Sequence, residues 1–167
     1  MHRLILLRHA KSAYPPGVAD HDRPLNDRGR RNAQTIASRL RQFLPADSSV
    51  QAVVSTARRT QQTWAIVSEQ LSIPHWSDSS LYLAEPEAIN EAASIIDADV
   101  GIIVGHNPGL ELLALGCATA EAVTDQVTEV SLQEKFPTSA FAVIDSADPI
   151  QPWMISGAHC VAFAVCR

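Results

Sequence analysis

Apolar residues in this chain follow two rhythms. The segments Arg3–Leu7, Val50–Val54 and Val100–Val104 are short and almost unbroken in their hydrophobicity, as expected of strands buried on both faces of a sheet. Between them, apolar residues recur every three to four positions, the period of a helix with one buried stripe. A first helix is predicted from about Asp27 to Leu44, with Ala33, Ile36, Ala37, Leu40 and Leu44 on one face and Pro45 just past its end. A second carries Thr60, Thr63, Trp64, Val67 and Leu71 and is closed by Pro74. Pro86 opens a third, through Ala88, Ile89, Ala92, Ala93 and Ile96, because its missing N–H costs nothing in a first turn. Leu81-Tyr82-Leu83 reads as a shorter third strand, Leu110 to about Cys117 as a fourth helix, and Phe141–Ile144 and His159–Val165 as closing strands. From Thr119 to Lys135 the periodicity is too weak to assign an element.

Strands that alternate with helices predict an α/β fold, a three-layer α/β/α sandwich with a mostly parallel central sheet. A chain of 167 residues without repeats, low-complexity tracts or a linker fits one domain, spanning 1–167. The Tyr14-Pro15-Pro16-Gly17 stretch cannot continue a helix or central strand, so the chain to about Pro24 is expected to be irregular and exposed.

Composition narrows the function. With 46% hydrophobic and 19% charged residues the chain reads as a soluble globular protein. Its net charge of -5 and pI near 5.6 argue against a nucleic acid or a membrane surface as partner. The N-terminal apolar run is too short for a signal-peptide core and no run approaches the ~18 residues of a membrane span, so a cytoplasmic location is expected. Cys117, Cys160 and Cys166 are odd in number and lack CxxC spacing, so they are expected to be reduced core residues rather than disulfides or zinc ligands. Arg23, Arg28, Arg30, Arg31, Arg39 and Arg41 crowd one segment, either as a solvated helix face or as a patch for an anionic substrate.

Three polar clusters follow predicted parallel strands: Arg8-His9, Ser55 through Arg59, and Gly105-His106-Asn107. Ligands of open α/β sheets bind beyond the C-terminal strand ends, so these clusters are expected to converge. Together they offer arginines, two histidines and helix N-termini, a set matched to a phosphate dianion. No GxxxxGK[ST], HExxH or metal-spaced carboxylate cluster is present, so no cofactor or metal is expected. Arginines must then neutralise the phosphate, and a histidine must be the nucleophile if no metal activates water.

Leu7-Arg8-His9-Ala10-Lys11-Ser12 resembles the R-H-G signature of the histidine phosphatase superfamily. Asp22-Arg23-Pro24-Leu25-Asn26-Asp27-Arg28-Gly29 is similar to the D-x-R-P-L-x-x-x-G stretch of its SixA-type protein-phosphohistidine phosphatases. Ser55-Thr56-Ala57-Arg58-Arg59-Thr60-Gln61-Gln62-Thr63 resembles their S-P-x-x-R-A-x-Q-T, and Val104-Gly105-His106-Asn107-Pro108 stands where the second histidine belongs. The resemblance implies a phosphoglycerate mutase-like fold, without large lid insertions. It also implies a transient phospho-His9, with Arg8 and Arg59 holding the phosphoryl oxygens and His106 completing the pocket.

Ser12, Arg23, Arg58 and Asn107 are further candidates to touch substrate, Arg23 and Arg58 from the rim; N-capping is the plainer role for Ser12 and Ser55. Two departures stand out. Ala10 replaces the usual glycine, which matters only if that residue has φ > 0. The acid that mutase branches place after the third strand has no counterpart: Leu83 stands near that place, and Glu85 is the nearest carboxylate, with Asp20 and Asp22 acid candidates by location. A phosphoramidate needs such an acid less, because neutral imidazole leaves readily. The expected substrate is therefore phosphohistidine on a protein partner such as a phosphotransfer domain. A phosphatase of a small metabolite and a non-catalytic phosphate-binding module are the alternatives, and a mutase is more distant. As bare sequence, Gly105–Gly109 also reads as a simple turn, and Trp64, Trp76 and Trp153 as core or edge aromatics.

Overall fold

The computed structural model describes residues 2–118, 132, 134–147 and 158–167. Strands β1 (Arg3–Arg8), β2 (Val50–Ser55), β3 (His75–Asp78), β4 (Val100–Gly105), β5 (Ala140–Ser146) and β6 (Ala158–Val165) form one sheet. Their spatial order is β3-β2-β4-β1-β5-β6. β1, β2, β3 and β4 pair in parallel, while β5 runs antiparallel to β1 and to β6. The hydrophobicity of β1 is unbroken because both its faces are covered. Leu4 and Leu6 point into one core with Val53, Ile103, Ile89, Ala93, Leu110 and Leu113. Ile5 and Leu7 point into the other with Val54, Ile102, Ile36, Leu40, Trp64 and Val67. The first core lies under helices α3 (Pro86–Ser94) and α4 (Gly109–Cys117), the second under α1 (Asp27–Leu40) and α2 (Arg58–Leu71). The three layers are those the alternation of elements predicts.

The third strand lies elsewhere than its apolar triplet suggests. β3 is His75–Asp78, an edge strand with no fully buried residue, and Leu81-Tyr82-Leu83 is not a strand. Leu81 ends a 3₁₀ turn, Ser79–Leu81, and anchors it in the core; Leu83 has φ 52° and stands half exposed. An edge strand with one neighbour has no apolar face to reveal it. The first helix also ends early, at Leu40, and a 3₁₀ turn over Arg41–Phe43 carries the chain on. Arg28, Arg30, Arg31, Arg39 and Arg41 face solvent, so most of the basic crowding is a solvated face.

Two glycines set how closely the loops approach. A Cβ on Gly29 would lie 2.1 Å from the Lys11 carbonyl oxygen, and one on Gly109 would lie 2.0 Å from that of Ala84. Gly29 lets α1 seat against the loop after β1; the Asn26 side chain caps that helix by accepting from the Gly29 N–H at 2.8 Å. The register pairs Arg8 with Gly105 and Val54 with Val104, so β1, β2 and β4 end at one level. No helix among the described residues is long and apolar enough to cross a membrane. Cys117, Cys160 and Cys166 are buried and unpaired. Trp64 is core and Trp76 packs at its edge, whereas Trp153 lies outside the described residues.

Candidate active site

Beyond the ends of β1, β2 and β4 the chain builds a pocket of about 310 Å³. His9 follows β1 and is buried, its backbone N–H donating to the Gly105 carbonyl of β4 at 3.2 Å. Its Nδ1 lies 2.8 Å from the Ala10 carbonyl oxygen. A carbonyl only accepts, so Nδ1 carries the proton and Nε2 keeps the lone pair. That lone pair faces Arg59, whose Nε–H donates to it at 3.2 Å. Burial first, and then the neighbouring His106, Arg59 and Arg8, push the His9 pKa down to about 3 against the opposing pull of the Ala10 carbonyl. The ring is neutral at physiological pH.

His106 is the mirror case. Its Nδ1 accepts from Arg59 Nη2 at 3.2 Å, which leaves the proton on Nε2, 2.9 Å from the Ser55 hydroxyl at the end of β2. Burial first and Arg59 second hold its pKa at about 3. The two rings stand 5.2 Å apart, centre to centre, with Arg59 touching both. Arg8 sits beside them: its Nη1 donates to the Phe136 carbonyl, while its buried Nε finds no acceptor among the described residues. Burial lowers the Arg8 pKa. A buried guanidinium N–H without an acceptor is costly until an anion supplies one.

The loop between β1 and α1 closes one side. Arg23 donates to the Ser12 hydroxyl, to Asp20 Oδ1 at 2.6 Å and to the Ala13 carbonyl at 3.0 Å, and its guanidinium lies 3.4 Å from the centre of the Tyr14 ring. Asp20 also accepts from Arg59 and from the Tyr82 hydroxyl, at 3.0 and 2.7 Å. Tyr82 foremost, then Arg23 and Arg59, hold the Asp20 carboxyl down at about 2. Other motif positions brace the loops. Gln62 Oε1 accepts from the Leu25 N–H at 2.7 Å, and Thr63 Oγ1 accepts from the Ala10 N–H at 3.0 Å while donating to the Arg59 carbonyl at 2.7 Å. Ala10 has no positive φ, so its methyl group strains nothing.

Of the residues singled out in the sequence, Arg8, His9, Ser12, Arg23, Arg59, His106 and Asn107 line the pocket. Asn107 donates from Nδ2 to Glu111 and to the Phe136 carbonyl, at 2.8 and 2.9 Å. Arg58 does not join them: as the first residue of α2 it points to solvent. Glu85 is also absent. It is the exposed N-cap of α3, turned out where Pro86 begins the helix, and Leu83 reaches the pocket instead. Neither Ser55 nor Ser12 caps a helix; Ser55 holds His106 and Ser12 receives Arg23. Asp20, an acid candidate by its location in the sequence, also lines the pocket, but as an ionised acceptor; Tyr82, read from the sequence as part of a strand, is the addition. His21 stands behind Tyr82, its Nε2 3.0 Å from Thr56 Oγ1. Among the described residues no cluster of three or more His, Cys, Asp or Glu could hold a metal ion.

Two buried neutral histidines make stability pH-dependent. In the unfolded chain they titrate near ~6.5, in the fold near 3. Between those values the unfolded state binds more protons, so stability is full above ~6.5 and falls as pH drops toward 3. The urea midpoint is expected to fall from pH 7 to pH 4.5, and by less in His9→Gln protein; an equal fall would locate the titrating groups elsewhere.

Fold and pocket together define a class: α/β proteins that receive a phosphoryl group at the C-terminal edge of a parallel sheet, between arginines and neutral histidines. Comparison with known proteins agrees. The Histidine phosphatase superfamily (branch 1) model matches residues 4–82. An uncharacterised protein of Mycobacterium tuberculosis is 41% identical over 140 residues, covering 83% of this chain and 85% of its own length. Among solved structures, one from Nakamurella multipartitia, described as a candidate phosphohistidine phosphatase SixA, superposes with a TM-score of 0.83 at 27% identity, over 99% of this chain and 96% of its own. A similarly described structure from Agrobacterium tumefaciens gives 0.75 at 28% identity, over 98% and 97%. The chain belongs to the histidine phosphatase superfamily, whose members are phosphatases.

Proposed function

We propose that this phosphatase removes phosphate from phosphohistidine on a protein partner, such as a phosphotransfer domain, through a phospho-His9 intermediate and without a metal. One observation carries the reading: the pocket pairs a neutral imidazole with no protonated carboxyl group among the described lining residues. The only carboxyl group among the described lining residues is Asp20, held ionised with its pKa at about 2. Leu83 stands where an acid would serve, and Glu85 faces away. A nitrogen leaving group needs no such acid, whereas an alkyl ester forgoes the ~10²–10⁴-fold that general acid catalysis contributes. Tyr14 and Leu83, 71% and 50% exposed, give the mouth an apolar rim suited to a protein surface.

In the first step the substrate's phosphoryl oxygens take N–H donors from Arg59 and Arg8, and the Arg59 Nε–H leaves the His9 lone pair for an oxygen. His9 Nε2 then attacks phosphorus in line; the new P–N bond forms as the bond to the partner's ring breaks, and that ring, which carries a proton on its other nitrogen in the phosphorylated partner, departs as neutral imidazole while phospho-His9 keeps its Nδ1 proton on the Ala10 carbonyl. Arg8, Arg59 and the neutral His106 meet the charge on the equatorial oxygens. Water then attacks the phospho-His9, its oxygen bonding to phosphorus as the P–N bond breaks, and inorganic phosphate leaves. The test is kcat/KM on a phosphorylated phosphotransfer domain beside a panel of alkyl and sugar phosphates, in EDTA. A preference of at least ~10²-fold for phosphohistidine, unchanged by chelator, is expected. Equal turnover of a sugar or glycerate phosphate would replace this reading with that of a metabolite phosphatase, and activity that returns only with added metal would remove the metal-free route.

A further inference from the structure

Asp20 stands where a bound anion would stand. It belongs to the single 3₁₀ turn Asp20–Asp22, and its side chain is 48% exposed. Arg59 spends its donors on this residue: Nη1 on the Asp20 carbonyl at 2.6 Å, and Nη2 on Asp20 Oδ2 at 3.0 Å. The other Nη2 proton goes to His106 and the Nε proton to His9, so one of the five guanidinium N–H groups is left over. A phosphoryl group that takes Arg59 donors from the two histidines therefore meets a guanidinium whose other side the Asp20 carboxylate already holds. Arg23 and Tyr82 hold the carboxylate from its other sides, at 2.6 and 2.7 Å, so it stays beside the newcomer as a like charge.

We propose that Asp20 is a positioning residue that aims Arg59 at both histidines while the pocket is empty and then competes with phosphate for that same guanidinium, setting how readily the product leaves. This rests on the pocket being a phosphoryl site, whatever molecule carries the phosphoryl group in. A residue that merely braced the loop would act the other way: its loss would let Arg59 drift and weaken anion binding.

Asp20→Asn keeps the shape and an acceptor oxygen and removes the charge. Binding of inorganic phosphate and of vanadate is measured by calorimetry at fixed ionic strength, with phosphate product inhibition and kcat measured alongside. The phosphate Kd is expected to fall ~10-fold, the scale of one half-exposed like charge a few ångströms away, and kcat to fall relative to kcat/KM as release slows. Asp20→Glu is expected to restore the wild-type Kd. Unchanged or weaker phosphate binding in folded Asp20→Asn protein overturns the proposal. If that variant does not fold, Tyr82→Phe decides: with one donor gone the carboxylate leans harder on the arginines, so phosphate is expected to bind more weakly, and unchanged or tighter binding counts against the competition. A wild-type protein inert toward phosphohistidine would remove the substrate proposed above and leave this binding comparison intact.

Discussion

His9→Ala protein is expected to keep its fold and lose turnover by at least ~10⁴-fold, the scale on which deleting an enzyme's covalent nucleophile is felt. Both histidines present a lone pair to Arg59, but not the same nitrogen. His9 presents Nε2, at the open end of the ring, with Nδ1–H tied to the Ala10 carbonyl; His106 presents Nδ1, crowded by its own side-chain stem, with Nε2 turned to Ser55. Attack on phosphorus needs the unhindered nitrogen. The Ser12 hydroxyl in the same pocket is occupied by Arg23. Wild-type protein quenched in mid-turnover should hold phosphate that is stable in alkali and released by acid, and His9→Ala should hold none. Loss of the trapped phosphate in His106→Ala but not in His9→Ala would exchange the two roles.

The parts of this site that the sequence reveals are those whose position follows from burial. β1, β2 and β4 are covered on both faces, so their apolar runs are unbroken and their C-terminal ends can be placed; whatever follows such an end lies in the crevice. That logic puts Arg8-His9, Ser55 and His106 together before any coordinate is known. It fails where position depends on contacts between distant loops. Asp20 and Tyr82 are 62 residues apart and meet over Arg59, and nothing local to either announces it. It fails again at β3, whose exposed edge carries polar residues, so the nearest apolar triplet is mistaken for it. The displaced strand then misplaces Glu85: with Leu83 at φ 52° the chain turns before Pro86, and Glu85 stands exposed at the N-cap position of α3, outside the pocket and with no capping bond from its carboxylate. Arg58 and Arg59 are told apart in the sequence by motif register alone, and in the fold by the helical turn that buries one and exposes the other.

Arg59→Lys is the substitution that separates charge from geometry in this pocket. A lysine keeps one positive charge but offers a point of donors on a flexible stem, where the planar guanidinium reaches three partners at fixed angles. Arg59 is 4% exposed and contacts His9 through Nε, His106 and the Asp20 carboxylate through Nη2, and the Asp20 carbonyl through Nη1. An ammonium group can satisfy some of these at once, not all, and cannot present two parallel N–H groups to a phosphoryl fork. Loss of one preorganised donor of transition-state charge costs ~10²–10³-fold, and the variant is expected to lose at least that in kcat/KM. The loss should fall on kcat as well as KM, since the missing contacts are those that align the phosphoryl group with His9 Nε2. The measurement is steady-state kinetics with phosphate affinity alongside: if charge alone matters, Arg59→Lys will bind phosphate and turn over within ~10-fold of wild type, and the fork geometry argued here has no part in catalysis.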